Sequence, residues 1–231
     1  PQSALLGRLA GSEHRQRVFG IQFMLLNLGI GIGGIIAAVV VDVSEPATFT
    51  ALYLGDAATY LLYVAVLLTM RGVAVGPEPV EEGADSEGGY REVIKDRLLL
   101  RIAVLGLVLL TCGYGSLEIG LPVFITVING LSVSWVAVAF TVNTMTIVVI
   151  QLGALRVMRG RSRSRLMAIV AGLWAASWRI MGVTGLLPTT AAVILICLST
   201  LVFAVGETLW APIAPALVND LAPDHLRGRY N

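Results

Sequence analysis

The chain has 231 residues, of which 56% are hydrophobic and only 13% charged, with a mean hydropathy of +0.83 and a formal net charge of +1. A water-soluble domain carries roughly 25% charged residues, so this composition cannot cover a water-facing surface. It excludes a soluble enzyme, a disordered chain and a nucleic-acid binder with a basic face. The two cysteines, Cys112 and Cys197, lie in apolar runs and are expected to be buried thiols, not a disulfide or a metal site.

A membrane-spanning helix needs about 20 mostly apolar residues. Six stretches qualify in chain order: Val18–Val41, Phe49–Met70, Ile102–Val127, Val133–Leu155, Leu166–Leu187 and Ala191–Leu217. The expected fold is therefore an all-α integral membrane protein with six transmembrane helices. Charge sorts the connections. Fifteen of the 16 basic residues fall in the N-terminal stretch, the long middle connection, the connection after span four and the C-terminal tail. The alternate connections, Asp42–Thr48, Asn129–Ser132 and Leu187–Thr190, hold none. By the positive-inside rule both ends and the middle connection are expected in the cytoplasm.

The first span carries Gly20, Gly29, Gly33, Gly34, Ala37 and Ala38. Small residues four apart on one face let helix backbones approach closely in lipid, so this ladder is expected to pack against another helix. Between spans two and three, Arg71–Asp96 is rich in Gly, Pro and acidic residues and reads as a flexible linker. Charged and apolar residues then alternate at helical spacing over Tyr90–Leu100, as in a short interfacial helix. Leu9-Ala10, Arg15 and Arg17 are echoed by Leu221-Ala222, Arg227 and Arg229 at a constant offset of 212. Such an echo on one membrane side, six spans apart, fits a transporter built from two repeated halves.

Four charged residues fall inside spans, and each costs about 2.5–3.5 kcal/mol at mid-membrane on insertion scales. Glu118 lies about 24 Å from the start of span three at 1.5 Å per residue. It shares a face with Thr111, Tyr114, Gly115 and Pro122, near an expected break in the helix. It is the first candidate for handling a proton or cation, since a desolvated carboxyl holds its proton more tightly; the alternative is an interfacial carboxylate wetted from outside. Glu207, in the inner third of span six, is expected either to pair with a loop arginine and latch the cytoplasmic side or to bind substrate. Arg179, beside Trp174 and Trp178, reads as an anchor in the outer aromatic belt. Asp56 is placed near the outer end of span two, facing water. Asn143, Thr146 and Gln151 of span four can line a cavity or serve as interhelical hydrogen-bonding groups.

No enzyme pattern is present. The two histidines, His14 and His225, fall in the expected cytoplasmic loops, which leaves no Ser–His pair or His-containing metal cluster inside the spans, and there is no Walker-type phosphate loop. No metal or cofactor is expected.

The ladder from Gly20 to Ala38 resembles the antiporter motif in the fifth helix of major facilitator superfamily exporters. Gly34 stands where that motif has proline, and Ala37-Ala38 where it has glycines. Leu54 to Tyr60 looks like the sixth helix of the drug and siderophore exporters. Gly120 to Phe124 with Asn129 to Ser132 is similar to their seventh helix and its outer loop. Gly206-Glu207 with Pro212 and then Arg227 to Tyr230 is similar to the tenth helix and the loop after it. Gly153, Gly160 and Arg161 keep the spacing of the superfamily's loop motif, with Val157 and Met158 at positions where charges are expected. The resemblance implies a fragment covering helices five to ten of a twelve-helix fold. Residues 1–70 would close the N-terminal bundle, 71–97 would be the central cytoplasmic loop, and 98–231 would begin the C-terminal bundle. It implies proton-coupled efflux of a small amphipathic molecule by alternating access in a cell membrane, with the substrate, protons and the bilayer as partners and no nucleic acid. An uptake carrier, sodium coupling, or a non-transporting scaffold or sensor of the same fold are the alternatives.

Overall fold

The structure is a computed structural model that describes residues 6, 10–42, 44–69 and 95–221. The expected Arg71–Asp96 linker lies outside the described residues except for its last two positions. So do Tyr90–Ile94 of the interfacial helix, and the tail with His225, Arg227 and Arg229.

Among the described residues there are six membrane-length helices and no strand. We number them α1 (Gly11–Val40), α2 (Pro46–Thr69), α3 (Arg97–Ile128), α4 (Ser134–Met158), α5 (Arg163–Val183) and α6 (Thr189–Leu221). They match the six expected spans, with α1 and α3 starting earlier and α6 ending later than expected. α1 begins before its apolar core, so Glu13, His14, Arg15 and Arg17 sit on its first turns; His14 is helical, not in a loop. α6 carries Pro212 and Pro215 inside the helix and continues to Leu221.

Local chemistry sets several of the ends. Asp96 caps α3: its carboxylate accepts from the backbone N–H of Leu98 at 2.9 Å and of Leu99 at 3.1 Å, two of the donors a helix start leaves unpaired. Ser162 caps α5 by accepting from Arg165 N–H. The α4–α5 turn passes through Gly160 at φ +71°, a left-handed conformation that side chains resist. Gly130, at φ +62°, does the same between α3 and α4.

α3 differs from expectation. Instead of breaking near Pro122, it stays helical and widens to π-winding over Leu110–Gly120 and again over Phe124–Ile128. Leu121 N–H bonds back to the Ser116 carbonyl and Asn129 N–H to that of Phe124, each five residues earlier. Pro122 has no N–H to give; local rewinding of this kind accommodates such a residue without a break.

By its contacts the chain divides into two units, Pro1–Gly31 with Gly88–Asn231, and Ile32–Glu87. In the second unit α2 buries none of its residues, and its Leu, Val and Tyr side chains form an apolar surface suited to lipid or to other helices. In the first unit α6 is central, packed along α4 and α5. Its core gathers Leu117, Leu121 and Ile125 of α3, Val170, Trp174 and Met181 of α5, and Ile196, Phe203 and Ile213 of α6. Hydrogen bonds between helices supplement packing where lipid supplies no hydrophobic drive. The Ser177 hydroxyl donates to the Ser199 carbonyl and the Ser199 hydroxyl to the Ser177 carbonyl, each at 2.9 Å. Gln151, fully buried, donates to the Thr208 carbonyl at 3.0 Å.

The first half of α1 packs in the same unit, but only part of the glycine ladder does so. A methyl group at Gly20 would stand 2.6 Å from Leu155 Cδ2 on α4, so this position needs its hydrogen. The next close approach is Gly31, outside the ladder, where a methyl would lie 3.3 Å from Met145 Cε. Gly29, Gly33 and Gly34 meet no described atom within 4 Å, and Ala37 is half-exposed. Contact thus follows the Gly20–Asn27–Gly31 stripe, spaced seven and four residues, while Gly29 and Gly33 lie on another face.

Candidate functional site

Glu207 is the most deeply buried charged residue described, 3% exposed within α6. Asn143 of α4 donates its Nδ2 hydrogen to Glu207 Oε2 at 2.5 Å. The Tyr114 hydroxyl of α3 is near enough to interact electrostatically with the same carboxyl. Glu118, one π-turn along from Tyr114, is close enough to add its charge to both groups, although its own side chain is exposed. The carboxyl of α6 is therefore bonded from α4 and approached from α3, where Tyr114 and Glu118 both lie on the π-wound stretch. Single π-turns are frequent at functional sites.

The arginine partner expected for Glu207 is not among the described residues. Two arginines go instead to Asp220 at the end of α6: Arg15 of α1 reaches its Oδ1 at 2.6 Å and Arg163 of α5 its Oδ2 at 2.5 Å. These ion pairs lie thirteen residues, more than three helical turns, beyond the position at which an arginine contact was expected.

An aromatic wall stands beside Glu207. Trp174 stacks on Phe203 with centroids 4.9 Å apart and planes 5° from parallel, and donates its indole N–H to the Phe203 carbonyl at 3.2 Å. Tyr114 meets Trp174 edge-on at 5.7 Å and Phe203 at 6.1 Å. The indole is wedged between two glycines: methyl groups at Gly113 and Gly206 would stand 2.6 Å and 2.5 Å from it. Trp174 is thus a core residue, not part of an aromatic belt as expected. Trp178 is half-buried, with its ring edge to Phe203 at 6.1 Å, and its buried indole N–H has no described acceptor.

The remaining expected residues stand apart from this cluster. Arg179 is exposed on α5 and Asp56 exposed on α2. In the loop motif Gly160 makes the left-handed turn, Gly153 faces open space and Arg161 is exposed. Thr146 bonds its own helix, to the Val142 carbonyl. Cys112 is exposed on α3 and Cys197 half-buried, so the thiols are not the buried pair expected; Cys112 falls on the outer face of the π-wound segment. Two residues were not singled out from sequence, Asp220 as the arginine acceptor and Gly31 as the close-contact glycine. Asp220 lies in a polar tail, and Gly31 differs from its neighbours Gly29 and Gly33 only in the face it occupies.

No group of three or more His, Cys, Asp or Glu side chains able to hold a metal occurs among the described residues. The arrangement holds one ionisable carboxyl in an apolar, aromatic-walled setting, bonded by Asn143 of α4 and near Tyr114 of α3. It can exchange a proton, and it can form hydrogen bonds or ion pairs with a small polar or cationic group.

The family model described as Major Facilitator Superfamily matches residues 1–231, the whole chain. No curated protein and no solved structure matches.

Proposed function

The chain belongs to the major facilitator superfamily of secondary transporters, and from that premise we propose that it takes part in proton-coupled efflux of a small amphipathic molecule by alternating access. In this reading the chain supplies helices five to ten of a twelve-helix protein of the cell membrane, with both of its ends in the cytoplasm. α1 and α2 close one bundle, residues 71–97 form the central loop, and 98–231 begin the other. The observation that carries the proposal is Glu207. A carboxyl buried in an otherwise apolar bundle, bonded by Asn143 and near Tyr114, costs several kcal/mol when ionised, and proton exchange gives that cost a use. Protonation lets the carboxyl stay buried as a neutral group while the bundles rock; deprotonation favours the state that wets it.

Glu118, exposed and within electrostatic reach, would pass protons between Glu207 and water. The Asp220 ion pairs would hold the cytoplasmic side closed in one of the two states, since Arg15 and Arg163 enter from separate helices. The glycine ladder, through Gly20, would keep α1 close to α4.

The test uses everted vesicles holding the complete protein and a fluorescent amphipathic cation. Uptake driven by a pH gradient and abolished by a protonophore is expected for the parent protein. Glu207→Gln should lose the gradient-driven component while retaining substrate exchange at equilibrium. Full gradient-driven transport by Glu207→Gln would remove this carboxyl from coupling, and transport indifferent to the protonophore would overturn proton coupling itself.

A further inference from the structure

Away from the Glu207 cluster, a cavity of about 570 Å³ opens between the first turns of α1 and the last turns of α4. Its charged wall is built by Arg17, Arg156 and Arg159 against a single acid, Glu13. All three arginines are exposed, and none is in an ion pair with a described residue; Asp220 takes Arg15 and Arg163 instead. The described lining therefore carries a net positive charge at any pH below the arginine range.

Its floor is apolar. Leu152 and Leu155 line it, and Leu155 is the side chain seated against Gly20. The two helices touch there, which closes the cavity toward the bilayer interior. Arg156 lies one turn above Leu152 on α4, roughly 6 Å along the axis. The next residue down the same stripe is Val149, 77% exposed, with Leu152 46% exposed. The site is amphipathic along the membrane normal, with guanidinium groups at the end of the span and open aliphatic surface directly below them.

We infer that this cavity binds the phosphate diester of an anionic membrane lipid, with its headgroup among Arg17, Arg156 and Arg159 and one acyl chain along Leu152 and Val149. Arginine matches a phosphate with paired N–H donors, and basic pockets between helices at a membrane surface suit lipid headgroups. A soluble phosphate shares the headgroup chemistry, but it has no use for the aliphatic stripe. The inference is independent of what the protein transports.

The experiment measures binding of phosphatidylglycerol to the complete protein in detergent, by native mass spectrometry and by the rise in unfolding temperature, with phosphatidylcholine as the neutral comparison. Phosphatidylglycerol should bind at least about tenfold more tightly than phosphatidylcholine. The triple variant Arg17→Gln, Arg156→Gln, Arg159→Gln should erase that preference, at about 1 kcal/mol or fivefold per basic residue, while the triple lysine variant should keep most of it. Equal binding of the two lipids, or an undiminished preference in the glutamine variant, would overturn the site. Displacement of the lipid by millimolar inorganic phosphate or glycerol phosphate would assign the cavity to a soluble anion and overturn the lipid reading. Should the glutamine variant not fold, Leu152→Trp reports the contact without touching the arginines. Its added fluorescence should be quenched more by brominated phosphatidylglycerol than by brominated phosphatidylcholine, and equal quenching would refute the inference.

Discussion

Gly206 offers a direct test of how Glu207 is positioned, because the two are adjacent on α6 and Gly206 touches the Trp174 ring. Replacing Gly206 by Ala would put a methyl 2.5 Å from Trp174 Nε1 and 2.6 Å from its Cδ1, well inside contact distance. The ring has no room to retreat. Phe203 stacks on it at 4.9 Å, and the backbone of Gly113 lies close enough that a methyl there would be 2.6 Å away. Overpacking of this kind costs about 1–3 kcal/mol. Tilting the indole to relieve it weakens the bond to the Phe203 carbonyl, about 0.5–1.5 kcal/mol more. The expected loss is about 2–4 kcal/mol, measured as reversible unfolding of the complete protein in mixed micelles. Trp174→Leu removes the obstructing plane, so the double variant should be less destabilised than the sum of the single variants by at least about 1 kcal/mol, in the range seen for touching residues. Strict additivity would show that the indole is not what excludes a side chain at Gly206. A loss below about 0.5 kcal/mol for Gly206→Ala alone would show that α6 is not pressed against α5 at this level.

The other expectations divide between the site and its frame. Asn143→Ala leaves the buried carboxyl short of its donor and should cost about 1.5–3 kcal/mol, whereas Asn143→Asp should impair gradient-driven transport more than stability; equal effects of the two changes on both readouts would contradict the assigned bond. Asp220→Asn should weaken both arginine contacts and make stability less dependent on salt, tested by thermal unfolding from low to high ionic strength. Gly160→Ala should cost about 1–2 kcal/mol because of its left-handed backbone, while Gly153→Ala, with no described atom near it, should be neutral or slightly stabilising, so unfolding temperatures should separate the two motif glycines. Asp42, between α1 and α2, accepts from Ser44 Oγ at 2.5 Å and Ser44 N–H at 2.9 Å, which holds its carboxyl below the usual carboxylate range. A lowered folded-state value stabilises at higher pH and is lost as pH falls through it. Ser44→Ala should therefore raise the Asp42 midpoint in an NMR titration.

The helices were legible because hydropathy is a property of windows about twenty residues long, and each span fills one. Their ends were less legible. The first turns of α1 are polar, with Glu13, Arg15 and Arg17, and a window average cannot tell a polar helical turn from a loop. Pro122 suggested a break because a proline removes one N–H, but π-winding shifts each bond by one residue and absorbs the loss. Glu207 was identifiable as a costly intramembrane acid, yet its partner was not. Asn143 is 64 residues away, and nothing local distinguishes it from Thr146, which bonds only its own helix. Asp220, thirteen residues beyond Glu207, was not singled out as an arginine acceptor, because its pairing depends on where α1 and α5 end in space. Trp174 and Trp178 are four residues apart and share a face, so belt and core were equally consistent with their spacing.

A purely architectural role would not call for a carboxyl at position 207. The Asn143 amide needs an acceptor, and a glutamine carbonyl there would provide one without the several kcal/mol that an ionised group costs in an apolar bundle. Burial of the side chain beside Phe203 and Trp210 is likewise served as well by the neutral amide. What glutamate adds is the ability to change charge while remaining hydrogen-bonded: its second oxygen accepts when ionised and donates when protonated. Tyr114 can match either form, because its hydroxyl both donates and accepts. Under the proposed proton exchange Asn143 would hold the carboxyl in place in both states, and Tyr114 would turn its hydroxyl to suit each. In the proposed coupling, protonation would then alter the charge at this position without leaving a buried polar atom unpaired. Tyr114→Phe should accordingly spare folding but slow the gradient-driven component of transport, and an unaltered rate in that variant would show that the hydroxyl takes no part in the exchange.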